Sequence, residues 1–119
     1  MQANDSRIDV YLVVNARYHD TNFARLELLK LLAEQEDVWV HVASDFSDME
    51  TIRACRLLIT YTCDLRPTLE QQQGLQSYLE QGGRWLALHA TNALIEFVNG
   101  KADTPDLAPL FMRLLGSRF

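Results

Sequence analysis

The sequence predicts an α/β domain built on a mostly parallel sheet. Three observations carry that reading. Short runs rich in apolar and β-branched residues recur at Ile8–Val14, Val38–Ala43, Leu57–Tyr61 and Arg84–Leu88, as strands do. Segments with helical spacing or helix-start signals lie between them, and such alternation implies right-handed crossovers between parallel strands. The 119 residues are 48% hydrophobic and 23% charged, enough apolar material for one core without disulfides or metals.

Ile8-Asp9-Val10-Tyr11-Leu12-Val13-Val14 is the most apolar run, so it reads as a central strand buried on both faces. Asn15 to Asp20 is polar and reads as a loop. Asp20, Thr21 or Asn22 can cap the following helix, because a short oxygen-bearing side chain accepts from the free amides of a first turn. That helix is expected to turn Phe23, Leu26, Leu29 and Ala33 inward, joined by Leu28 and Leu32. Val38–Ala43 is the second strand, with His41 a satisfied strand histidine. Ser44 to Arg53 reads as a loop carrying a short helix at Met49–Arg53.

Leu57–Tyr61 is the third strand. Pro67 then precedes Thr68-Leu69-Glu70-Gln71, a capping box in which Thr68 and Gln71 satisfy each other's amides. The helix it opens should bury Leu75, Tyr78 and Leu79 and stop at Gly82-Gly83, where a left-handed residue is free of steric cost. Arg84–Leu88 is the fourth strand. Thr91 to Val98 is expected to be helical. After an Asn99-Gly100 turn, Pro105 to Leu115 reads as a last helix, interrupted or started late by Pro109. No repeat, linker or low-complexity segment divides the chain, so residues 1–119 read as a single domain.

The economical arrangement is a flavodoxin-like three-layer sandwich with strand order 2-1-3-4. Such sheets bind ligands beyond the carboxyl ends of their strands, near the point where strand order reverses. Three loops then converge on one rim. The first carries Arg17, Tyr18, His19 and Asp20. The second carries Thr60, Tyr61, Thr62, Cys63 and Asp64, and the third His89, Thr91 and Asn92. Neutral imidazole exchanges a proton near neutral pH and a carboxylate can orient it. His89, His19 and Asp64 are therefore the candidate catalytic groups. Arg17, Tyr18, Asp20, Tyr61, Thr91 and Asn92 are the candidate substrate-binding groups. Each also has an ordinary structural reading: Asp20 as a helix cap, Asp64 as a turn residue, and the tyrosines as packing groups with a wet hydroxyl.

Several functions are disfavoured. The net charge of −5 and the pI of about 5.0 oppose a nucleic-acid or anionic-membrane partner. No Gly-x-Gly-x-x-Gly fingerprint, phosphate loop or Gly-x-Ser-x-Gly elbow occurs. The first loop also lacks the serine- and threonine-rich cradle of a flavodoxin-like electron carrier. Cys55 and Cys63 show no metal spacing, so no metal or cofactor is expected and Cys55 reads as a packed thiol. Cys63 is not at a strand-to-helix elbow, which disfavours a Cys63–His89 nucleophilic pair. The polar start Met1-Gln2-Ala3-Asn4-Asp5-Ser6-Arg7 lacks a signal peptide's apolar stretch, so a cytoplasmic location is expected.

At these residues the chain resembles the trehalose-utilisation (ThuA-like) family of the class I glutamine amidotransferase-like superfamily. Tyr18-His19-Asp20 resembles the family's "RHD" segment after strand 1. Asp64-Leu65 through Thr68, Gln72 and Tyr78 resembles its helix after strand 3. Gly82-Gly83-Arg84-Trp85-Leu86-Ala87-Leu88-His89-Ala90-Thr91 resembles its glycine-strand-"GIHAAT" motif, and Leu115-Gly116-Ser117-Arg118-Phe119 its "LGGxF". True glutamine amidotransferases place a nucleophilic cysteine where this chain has His89, so the resemblance implies no glutamine hydrolysis. It implies instead a role in disaccharide or keto-sugar metabolism, through a hydrolase or isomerase reaction, with a small carbohydrate as ligand. Family members are longer, so a shortened form or a fragment is expected. A shortened sheet would expose an edge and favour a homo-oligomer. The alternative is a non-catalytic ligand-binding or oligomerisation module of the same fold.

Overall fold

A computed structural model describes residues 7–119. Met1 to Ser6, most of the segment behind the expectation of no signal peptide, lie outside the described residues. The main elements alternate: β1 (Ile8–Ala16), α1 (Thr21–Ala33), β2 (Val38–Ala43), α2 (Met49–Ala54), β3 (Leu57–Cys63), α3 (Leu69–Glu80) and β4 (Arg84–Leu88). A two-stranded ribbon, β5 (Glu96–Val98) and β6 (Lys101–Asp103), and a last helix, α4 (Pro109–Leu115), complete the chain. The sheet order is β2-β1-β3-β4 with every pairing parallel, as the sequence predicts. β1 runs on through Asn15 and Ala16, and β3 through Thr62 and Cys63, because these residues still pair with one another.

Strand alternation sorts the core into two clusters. Tyr11, Val13 and Leu58 face α2, α3 and α4 through Ile52, Leu75, Tyr78, Phe111 and Met112. Val10, Leu12, Val14 and Ile59 face α1 through Leu28, Leu29 and Leu32. The apolar stripe of α1 thus differs from the expected one. Phe23, Leu26 and Ala33 are exposed, while Ala24 is buried. α1 lies over β1 and β2, which is why Leu86 on the outermost strand β4 stays 48% exposed.

Local signals set the helix ends. Asp20 caps α1 by accepting from the Phe23 amide at 3.0 Å. The capping box of α3 is complete: Thr68 accepts from the Gln71 amide and Gln71 from the Thr68 amide. Gly82 takes the left-handed conformation at the end of α3, with φ of 93°. Pro109 is the first residue of α4, the late start of the two expected alternatives, at a position where its missing N–H costs nothing. His41 is satisfied as expected, its Nε2 lying 3.3 Å from Asp9 Oδ1.

One element is a correction. Thr91 to Val98 is not helical. Ala90–Asn92 form turns, Ala93 and Leu94 drop into the core, and Glu96–Val98 pair antiparallel with Lys101–Asp103. Asn99 and Gly100 have φ of 52° and 76°. Two consecutive left-handed residues are what a two-residue hairpin turn requires, and Asn-Gly is its favoured sequence. The turn residues outweighed the helical reading of the segment before them.

Candidate functional site

Among the described residues, three of the four non-glycine residues with positive φ lie at the carboxyl rim of the sheet. They are Tyr18, two residues beyond β1, Asp64, directly after β3, and His89, directly after β4, with φ of 73°, 56° and 58°. The fourth is Asn99 in the hairpin turn. Left-handed backbone costs an L-residue roughly 1–2 kcal/mol. Tyr18 and His89 lie in turns and Asp64 in a bend, each setting the direction in which the chain leaves its strand.

The turn at His89 breaks strand alternation and brings its ring to the loop after β1. There the Nε2 atoms of His89 and His19 lie 3.0 Å apart, with the rings at 86° to each other. Two neutral imidazoles bond in this way only when one presents Nε2–H and the other a bare Nε2, so in its neutral form the pair combines the two roles. Tyr61 stacks on His89, the two rings 4.9 Å apart and inclined by 12°. The pKa of His89 is held below its ordinary 6.5, first by burial and then by the charge of His19. A cavity of about 150 Å³ adjoins His89, lined by Ala87, Thr91, Asn92, Leu115 and Ser117. It has room for a few waters or one small polar substituent.

The backbone before His89 is held by a directed chain of hydrogen bonds. Trp85 Nε1 donates to Thr60 Oγ1 at 3.0 Å. Thr60 Oγ1 lies 3.0 Å from Thr91 Oγ1, and Thr91 Oγ1 donates to the Leu88 carbonyl at 2.8 Å. Thr91 has one hydroxyl proton, already given to Leu88, so Thr60 is the donor to Thr91. Thr91, expected as a substrate-binding group, is therefore buried and engaged internally. Thr60 is expected on the rim from its place at the end of β3 but without an assigned role, and Trp85 has no site signal in the sequence.

Asp64 does not join the imidazoles. Its side chain is 1% exposed and bonds Arg17, Arg66 and the Ile95 amide. Arg66 also donates to the Ile95 carbonyl at 2.7 Å and pairs with Glu96 at 3.6 Å. The carboxylate thus ties the β3 loop to the β1 loop and to the base of the β5–β6 ribbon. Arg17 lies over the Tyr18 ring, and the Tyr18 ring meets the edge of Phe97 with centroids 6.0 Å apart. Asn92 donates to Ser117 Oγ and its carbonyl accepts from the Phe119 amide. Asp20 is occupied as a helix cap. Cys55 and Cys63 are buried and free. Burial lifts the Cys55 thiol to about 11 and also raises that of Cys63, so neither is a ready nucleophile.

No set of three or more His, Cys, Asp or Glu side chains suited to a metal occurs among the described residues. No helix among them is long and apolar enough to cross a membrane.

The fold recurs in a solved structure. A ThuA-like protein from Bacteroides uniformis superposes with a TM-score of 0.66 over 98% of this chain, at 18% sequence identity. The chain spans 46% of that protein's length. No protein-family model matches the chain, and no curated protein matches it at the level of sequence. What the likeness establishes is the architecture: the parallel α/β fold of a ThuA-like protein, present here over less than half of that neighbour's length.

Proposed function

We propose that this chain is a ThuA-like domain of carbohydrate metabolism that binds a small sugar at the carboxyl rim. In this reading it handles a proton there through the His19–His89 pair. The observation that carries it is the 3.0 Å contact between the two Nε2 atoms, held by a left-handed residue at the end of β4. Substrate that displaces the contact frees the bare Nε2, which can then accept a proton from a sugar hydroxyl or from the carbon beside a keto group; the same nitrogen, now Nε2–H, returns it. A lowered pKa keeps His89 in the neutral, basic form at neutral pH. Trehalose and related disaccharides or keto-sugars are the ligand class, in line with the family resemblance. His89→Ala and His19→Ala, tested against a sugar and keto-sugar panel, should each lose binding or turnover while remaining folded. Full activity in folded His89→Ala would remove the pair from the function.

A second reading is a non-catalytic module whose copies associate. It is favoured by the outer position of β4 and the exposure of Leu86. Light scattering separates the two. A stable oligomer indifferent to sugars supports assembly, whereas a sugar response that depends on His19 and His89 supports the first reading.

A further inference from the structure

The β5–β6 ribbon buries almost nothing, since all six of its strand residues are exposed. A two-stranded ribbon of this size has little stability of its own. It is nevertheless held firmly at its base. The Ile95 amide donates to buried Asp64 at 2.9 Å, the Asp64 amide donates to the Ala93 carbonyl at 2.9 Å, and Arg66 grips both Ile95 and Glu96. The ribbon is thus fixed to the loop that follows β3. What it carries on that fixed base is Phe97, 59% exposed, against Tyr18, 55% exposed. Tyr18 is the neighbour of His19, and Arg17 covers its ring. A lone exposed aromatic is ordinary. Two in edge contact, on two segments locked together by one buried carboxylate and adjoining a histidine pair, form a built surface.

We propose that Phe97, with Tyr18, is the stacking platform for the second ring of a disaccharide whose first ring lies at the His19–His89 pair. The apolar C–H face of a pyranose packs on an aromatic ring, and the Arg17 guanidinium at the rim can donate to the ring hydroxyls. This rests on the sugar-binding reading above and adds a specificity residue to it. The platform recognises length: it contributes to a disaccharide and nothing to a monosaccharide.

The test is calorimetric titration of the full chain with trehalose and with methyl α-glucoside, for the unsubstituted protein, Phe97→Ala, Phe97→Trp and His89→Ala. An aromatic contact is worth about 0.5–1.5 kcal/mol, so Phe97→Ala should weaken trehalose binding by roughly two- to tenfold. Binding of methyl α-glucoside should not change, and Phe97→Trp should restore trehalose affinity. Equal loss for both sugars, or no loss for either, overturns the platform while His89→Ala still reports on the rim. Absence of binding by the unsubstituted chain overturns both the platform and the sugar-binding reading.

Discussion

The hydroxyl of Tyr78 bonds both backbone groups of Arg84: it donates to the carbonyl at 2.9 Å and accepts from the amide at 3.2 Å. The last turn of α3 thereby sets where β4 begins, and β4 ends at His89. Tyr78→Phe removes both bonds and should cost about 1–3 kcal/mol in urea unfolding. Gly83 lies under the same ring, with no room for a Cβ against it. Gly83→Ala should therefore destabilise by a further mechanism, overpacking, at about 1–3 kcal/mol. A Tyr78→Phe variant as stable as the parent would show that these bonds do not hold β4.

Thr60→Val tests the chain of hydroxyls. Valine matches threonine in shape but leaves the Trp85 indole N–H without its acceptor and the Thr91 hydroxyl without its donor, while Thr91 keeps its bond to the Leu88 carbonyl. The expected loss is about 1–3 kcal/mol. Trp85 fluorescence should shift as its N–H finds another environment. An unchanged spectrum and midpoint would remove Thr60 as the centre of the chain.

Asp64→Ala releases the base of the ribbon. It frees the Ile95 amide and Arg17 and removes one partner of Arg66, which keeps the Ile95 carbonyl and Glu96. Both arginines can rehydrate, so the stability loss should be modest, about 1–3 kcal/mol. The local effect should be larger: amide exchange across Glu96–Asp103 should accelerate far more than in β1 or β3. Uniform acceleration through the whole chain would mean that Asp64 supports the fold at large rather than the ribbon.

At His89 stability and function should oppose each other. With φ of 58°, the position suits glycine better than any L-residue. His89→Gly should be more stable than His89→Ala by about 1 kcal/mol, and both should lack ligand response. Equal stability of the two variants would show that the left-handed turn carries no strain.

The lowered pKa of His89 also has a pH signature. Between the folded value and the ordinary 6.5, the unfolded chain binds more protons at this residue than the folded one. Stability from this source is complete above about 6.5 and is lost as pH falls through the folded value. NMR titration of the His89 ring should give a midpoint below 6.5, and His89→Gly should flatten the acid side of the stability profile. A midpoint at or above 6.5 would contradict the arrangement of the pair.

Much of this architecture was legible in the sequence, because strands buried on both faces leave uninterrupted apolar runs. Ile8–Val14 and Leu57–Tyr61 are of that kind, and the Thr68–Gln71 box is a local, self-sufficient signal. Phe23 and Leu26 misled because helical spacing places apolar residues on a face without saying which face meets the sheet. Thr91–Val98 misled because the helical reading takes Asn99-Gly100 as a turn between helices, whereas that pair's hairpin preference favours strands on both sides. The rim residues could be gathered from topology alone, but their division could not. His19, His89 and Tyr61 meet, while Asp64 and Thr91 turn inward to hold the loops. That division depends on backbone turns at single residues, which leave no pattern in composition or period.

β4 has a hydrogen-bonded neighbour on one side, β3. The backbone groups along its outer side keep their capacity to pair, and the strand ends at His89. Any extended segment that came to lie parallel along Arg84–Leu88 would therefore end beside the imidazole pair. Its last residues would become a wall of the cavity next to Ala87 and His89. Joining the sheet and completing the pocket would be one event, so whatever completes this edge would also decide what the histidines can reach.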